Sequence, residues 1–185
     1  KEEQAFRIDI SNFSIIENFS FDGEGWGICF NGVHLVTSNG SSKISFRDPE
    51  TFEINHTIQV TWDGQPVLNI NELECVGSEI LANVWLQDVI LGIDSISGNV
   101  QYYVSPTSIS STQGNDSNEV LNGIAFDQSS GGFWITGKNW THIYLIEISY
   151  QETPNEAQKT RGLNRFSEIF IISVILLSIL LTIIR

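Results

Sequence analysis

Three segments of this chain place chemically able side chains at equivalent positions. Glu24-Gly25-Trp26, Asn71-Glu72 and Leu121-Asn122 each precede or open a short apolar run, and Asn39, Trp85 and Lys138 each follow the run after it. Where repeated units are arranged around an axis, the loops entering each inner strand converge at one mouth, so equivalent positions build one pocket. The carboxylates Glu24, Glu72 and Glu74 are of the type that does acid–base work. In repeats such groups more often hydrogen-bond backbone amides of neighbouring loops, so Glu72 and Glu74 are read as mostly structural. Trp26 and Trp85 are packing residues by default, but their place beside the loop mouths makes them candidate pocket walls. Lys138 alone would read as a solvated lysine, yet it follows Thr136-Gly137 in the aligned slot, which favours function. His34, His56 and His142 share no metal-ligand spacing with each other or with the cysteines. No Gly-x-Ser-x-Gly, Cys-x-x-Cys or phosphate loop occurs.

The elements that must hold these residues are short strands. Residues 71–85 read as one hairpin, with apolar positions at Leu73, Cys75 or Val76, Ile80, Ala82 and Val84 and a turn at Gly77-Ser78. Residues 25–61 predict four strands, at 28–30, 34–38, 43–48 and 54–61, punctuated by Asn31-Gly32, Asn39-Gly40 and Asp48-Pro49. Trp62-Asp63-Gly64-Gln65-Pro66 reads as a connecting loop before a second unit over 71–104. Asn39, Trp85 and Lys138 align with offsets of 46 and 53, and nine residues after each stand Asp48, Asp94 and Glu147. Asp9 takes the same slot in a truncated first unit, whose strands are 5–9 and 13–21. Four strands at this period predict an all-β fold, a β-propeller of about three blades plus part of another. The larger offset comes from residues 105–118, read as a flexible surface loop. The third unit, 120–149, supplies three strands and stops.

Composition narrows the function. A net charge of -13 with nine Lys and Arg excludes a nucleic-acid partner, which requires a basic face. Asn-x-Ser/Thr sequons begin at Asn12, Asn18, Asn39, Asn55, Asn115 and Asn139, a density that favours exposure to the secretory lumen. Cys29 and Cys75 occupy equivalent positions in adjacent units and are read as buried free thiols rather than a disulfide.

Residues 150–167 read as a polar stalk and 168–185 as a membrane-associated tail. Its charge-free run, Ile169 to Ile184, is 16 residues long, just short of the roughly 17 to 25 that span a bilayer. A single-pass helix opposes the positive-inside preference, because Lys159, Arg161 and Arg165 lie on the sequon side. A lipid-anchor signal, with its attachment site at Asn155-Glu156-Ala157, is the competing reading. The helix is ranked ahead.

Five ordered motifs carry a family resemblance: Gly23-Glu24-Gly25-Trp26-Gly27, Leu68-Asn69-Ile70-Asn71-Glu72-Leu73-Glu74, Ala82-Asn83-Val84-Trp85, Val120-Leu121-Asn122-Gly123-Ile124-Ala125 and Thr136-Gly137-Lys138-Asn139-Trp140. Together they resemble the plant- and bacterial-type glutaminyl-peptide cyclotransferases over most of residues 5–148. The resemblance implies a five-bladed propeller that converts the N-terminal Gln of peptides or proteins to pyroglutamate and releases ammonia, with no catalytic zinc or other cofactor. It implies Trp26 and Trp85 as apolar walls and Asn71 and Lys138 as catalytic polar groups at the reacting amide. Glu24 and Asn122, by their place in the equivalent loops, are grouped with the two walls as substrate-binding. The family's first two blades also carry Phe-Thr-Gln-Gly-Leu and Phe-Gly-Glu-Gly-Leu loops, the second supplying a glutamate acid or base, and neither occurs in these residues. The resulting expectation is the C-terminal three-fifths of a membrane-anchored, lumenal glutaminyl cyclase, with little activity from these 185 residues alone. A noncatalytic peptide- or glycan-binding module on a membrane surface is the alternative.

Overall fold

The computed structural model describes residues 3–113, 119–150 and the strand at 161–170. The chain begins with the antiparallel pair β1 (Gln4–Ile8) and β2 (Ile15–Ser20). A first four-stranded sheet follows, in sequential order: β3 (Gly27–Phe30), β4 (Leu35–Ser38), β5 (Lys43–Arg47) and β6 (Ile54–Gln59). After β7 (Thr61–Trp62) and β8 (Gln65–Pro66) comes a second sheet of β9 (Ile70–Val76), β10 (Glu79–Val84), β11 (Ile90–Asp94) and β12 (Val100–Val104). A single helical turn, α1 (Thr107–Ser110), leads to a third sheet of β13 (Leu121–Phe126), β14 (Phe133–Gly137), β15 (His142–Tyr150) and β16 (Arg161–Phe170). Every blade is an up-and-down antiparallel meander, and the innermost strands β3, β9 and β13 pack side by side. The result is an all-β, propeller-like architecture.

Two apolar seams hold the blades together. Between the first and second blades lie Cys29, Val36, Ile44, Phe46, Leu73, Ile80, Ala82 and Val84, all buried. Between the second and third lie Leu81, Ile90, Tyr102, Leu121, Ile124, Ile135 and Ile146. β10 feeds both: Ile80, Ala82 and Val84 face one seam while Leu81 faces the other, which is why its sequence is apolar nearly throughout.

The recurrent aspartates explain the repeat. At Asp9, Asp48 and Asp94 the backbone N–H donates to the carbonyl five residues on, and the residue four on donates back to the aspartate carbonyl. Each carboxylate also accepts a backbone N–H two residues along: Ser11, Glu50 and Ile96. The fourth-on residue takes positive φ, at Phe13, Phe52 and Gly98. Asp127 makes the same turn between β13 and β14. Glu147 does not share it: β15 runs straight through that position. These hydrogen bonds hold the four aspartates below the usual carboxylate range. A depressed folded value contributes stability above the unfolded pKa and loses it as pH falls through the folded one. Asp94→Ala is therefore expected to lower Tm at pH 7, with the difference from wild type shrinking toward zero in strong acid; thermal melts at both pH values read it.

Several expectations are corrected. Cys29 and Cys75 form a disulfide, with Cα atoms 5.6 Å apart, joining β3 to β9; the two inner strands lie side by side, which brings residues 46 positions apart together. Residues 62–66 are a tight hairpin rather than an open loop, because Asp63 and Gly64 both adopt the positive φ of a twist-matched turn. Residues 105–113 of the insertion are packed: Ile109 lies in the second seam, Ser110 donates to Asp88 Oδ2 at 2.8 Å, and Gln113 bonds Tyr144. The rest of the insertion, 114–118, lies outside the described residues. The third blade has a fourth strand, since β16 pairs along β15 and satisfies its outer backbone edge. Residues 161–167 of the expected stalk and 168–170 of the expected helix are therefore strand. The remainder of both, with the 155–157 anchor site, lies outside the described residues. Among the described residues no helix is long and apolar enough to cross a membrane. The sequon residues Asn12, Asn18, Asn39, Asn55 and Asn139 are exposed, and Asn115 lies outside the described residues.

Candidate active site

Strand register places Trp26, Trp85 and Lys138 at one rim and Asn71 and Asn122 one residue inside it. In the three blades the first and second strands pair Gly27 with Ser38, Ile70 with Val84 and Leu121 with Gly137, so the residues just beyond these pairs project from the same end. Hydrogen bonds stitch that end together. Gly40 N–H donates to Ile70 O, Asn69 N–H to Gly40 O, Trp85 N–H to Asn69 O and Lys138 N–H to Val120 O.

Trp26 and Trp85 meet there edge to face, with ring centroids 5.4 Å apart. The floor beneath Trp26 is Gly40, where a Cβ would lie 2.7 Å from the indole carbons. Trp26 Nε1 donates to the Glu24 carboxylate at 3.0 Å, so Glu24 orients the indole. Asn71 is buried at 5% exposure, and its carbonyl accepts from Ser38 Oγ at 2.6 Å. Gly27 lets β9 approach this closely: a Cβ would meet Asn71 O and stand 2.8 Å from Glu72 Cα. The Lys138 side chain is exposed on the rim, and among the described residues it forms no ion pair or hydrogen bond with Asn71 or Glu24. Asn122 is half-buried, with its Oδ1 unpartnered. The structure thus brings Trp26 into contact with both Glu24 and Trp85, and it places Lys138 at the same rim, with Asn71 and Asn122 one residue inside it in β9 and β13.

The inner strands also carry matched irregularities. In β9 the register slips so that Asn71 and Glu72 together oppose Asn83, and in β13 Asn122 and Gly123 together oppose Thr136. Such bulges break alternation and re-aim side chains, often beside functional sites. Asn83 is fully buried and accepts the Gly123 N–H at 2.9 Å.

The two carboxylates behave differently. Glu74 accepts the Phe126 N–H at 3.0 Å, the structural role expected of it. Among the described residues no backbone amide donates to Glu72, and burial, with the Glu74 charge second, pushes its carboxyl up to about 8. Reading Glu72 as mostly structural is therefore revised. Its signal in the sequence was one extra residue between Ile70 and Leu73, visible only once the pairing is known.

Below about 4.5 Glu72 is neutral in both folded and unfolded chains; as pH rises toward 8 only the unfolded chain ionises it freely, and folding loses stability. Glu72→Gln is expected to melt with wild type near pH 4 and above it by pH 8, a divergence that melts across pH will read.

A family model described as glutamine cyclotransferase matches residues 1–148. The chain belongs to the glutamine cyclotransferase family. Within it, the chain is 32% identical over 147 residues to a glutaminyl-peptide cyclotransferase of Arabidopsis thaliana, covering 77% of this chain and 46% of that protein. It therefore spans about half the length of the curated relative it matches. The crystal structure of Myxococcus xanthus glutaminyl cyclase superposes with a TM-score of 0.75 at 33% identity, over 79% of this chain and 64% of that one. Kluyveromyces lactis Hsv2 superposes with a TM-score of 0.53 at 10% identity, over 89% and 55% of the two chains, a likeness of fold alone. The glutamine cyclotransferase match includes all six candidate residues, from Glu24 to Lys138.

Proposed function

We propose that the protein carrying this chain is a glutaminyl-peptide cyclotransferase, which converts N-terminal Gln of peptides or proteins to pyroglutamate and releases ammonia. The observation that supports this reading is the Trp26–Trp85 pair standing at the rim that also bears Lys138, with Asn71 one residue inside it. In the reaction the α-amine nitrogen bonds to the γ-carbonyl carbon, the bond from that carbon to the amide nitrogen breaks, and one proton passes from the attacking to the departing nitrogen, which leaves as ammonia. The side chain must fold back on its own amine. An aromatic slot that accepts only the folded conformer contributes through proximity. The Lys138 ammonium serves the oxyanion that develops on the γ-carbonyl oxygen. Asn71 positions the same group, and Glu24 holds the Trp26 ring.

In this reading the three blades described are three of a five-bladed ring. The disulfide and the five exposed sequon asparagines support an oxidising, lumenal or extracellular setting. The apolar residues from 171 onward would add membrane attachment. Incubating a Gln-initiated peptide with the purified protein tests the function: a mass loss of one ammonia supports it, and unchanged peptide at high enzyme concentration refutes it. Sensitivity of the secreted protein to an N-glycosidase tests the compartment.

A further inference from the structure

The seam between the second and third blades holds polar groups that the fold does not use. Asn83 Nδ2 and Asn122 Oδ1 are both buried without a partner, one a donor and the other an acceptor. They are neighbours through the backbone, because Asn83 Oδ1 holds the N–H of Gly123, the residue after Asn122. Glu72 stands opposite Asn83 in the β9–β10 ladder, where cross-strand side chains lie about 5 Å apart. The bonds from Gly123 to Asn83 and from Phe126 to Glu74 clamp this seam on either side. An orphaned buried polar atom costs about 1–3 kcal/mol, and two of opposite kind at paired bulges match a ligand with one acceptor and one donor.

We infer that Glu72, Asn83 and Asn122 form a subsite for a neutral primary carboxamide, which selects glutamine over glutamate. Asn83 Nδ2 donates to the carboxamide oxygen and Asn122 Oδ1 accepts from its nitrogen. Glu72 in its neutral form bonds either atom and repels a carboxylate once ionised. A glutamate side chain would set its charge against Asn122 Oδ1 and leave that acceptor unpaired. Sites built to pair a substrate N–H reject analogues that lack it far more strongly than apolar pockets do. The subsite rests on the cyclotransferase reading for its biological meaning, but its chemistry is independent of turnover. The titratable groups around Glu72 are few: Glu74 on its own strand, none near it on β3, β4 or β13, Glu79 at the far end of β10, and Lys138 and Glu24 on the rim.

The test uses two peptides blocked at the amine so that neither can cyclise, one beginning with N-acetyl-Gln and the other with N-acetyl-Glu. Calorimetry on the purified protein should show the amide peptide binding roughly tenfold or more tighter. That preference should vanish in Asn122→Ala. It should strengthen in wild type as pH rises through 8, where an ionised Glu72 repels the glutamate carboxylate, but stay level in Glu72→Gln. Because Asn83 also anchors Gly123, the other two positions carry the test, with melting curves confirming that each variant is folded. Equal affinity for both peptides in wild type, or an unchanged preference in folded Asn122→Ala, overturns the subsite. A protein that prefers the amide but never forms pyroglutamate would refute the proposed function and leave the subsite standing. Turnover without that preference would do the reverse.

Discussion

Lys138→Ala is expected to lower kcat on a Gln-initiated peptide about a hundredfold or more, the cost of removing one donor to a developing oxyanion. The fold should be indifferent. The Lys138 side chain is exposed, and its structural contact is the backbone bond from its N–H to Val120 O, which alanine keeps. Surface changes of this kind shift stability by about 0.5 kcal/mol or less. A large kinetic loss at unchanged Tm would separate a catalytic ammonium from a solvated one. Steady-state kinetics beside a melting curve reads both, and unchanged kcat would remove Lys138 from the site. Trp85→Ala is a less clean variant, since it also strips the partner from Trp26 and uncovers the rim.

Replacing both Cys29 and Cys75 by Ala is expected to produce the largest loss of stability. The bridge spans a sequence separation of 46, which the loop-entropy relation converts to about 4 kcal/mol. Its position adds to the effect, because it ties the inner strand of one blade to that of the next, beside the close approach of Gly27 to Asn71. The chain between the two cysteines includes the whole first blade beyond β3, so the unfolded state is the one most constrained. Denaturant titration of the double variant against wild type measures the difference. A reductant should lower the wild-type midpoint toward that of the variant and leave the variant unmoved. Coincident curves for the two oxidised proteins would show the bridge to be energetically idle. The same experiment bears on the proposed compartment, since a bridge with this contribution has to be made where thiols oxidise.

The acidic turns and the neutral Glu72 impose opposite pH trends. Asp9, Asp48, Asp94 and Asp127 stabilise the fold above the carboxylate range and cease to in acid, whereas Glu72 favours folding when protonated and opposes it as pH approaches 8. The turns are exposed and repeated; Glu72 is single and half-buried beside the candidate chemistry.

Local rules made much of this molecule legible. Strands at 43–47 and 79–84, the Gly77 turn and the recurring aspartates followed from apolar patterning and turn chemistry, which depend on neighbours within a few residues. The alignment of Asn39, Trp85 and Lys138 also followed from spacing alone, because each repeat folds into the same meander and each of these residues comes directly after the second strand of its blade. What the tertiary structure decided depends on partners distant in the chain. Cys29 meets Cys75 only because two inner strands lie side by side. Residues 105–113 are packed only because Asp88 and Tyr144 are there to bond them. A fourth strand joins β15 because an unpaired edge is available, whatever the polarity of the residues that fill it. Glu72 is set opposite Asn83, half-buried and with its carboxyl pushed up by that burial, because of a one-residue slip in β9. Composition and period report which way side chains alternate; register, burial and orphaned bonds belong to the packed chain, because they are sums over contacts that no short stretch contains.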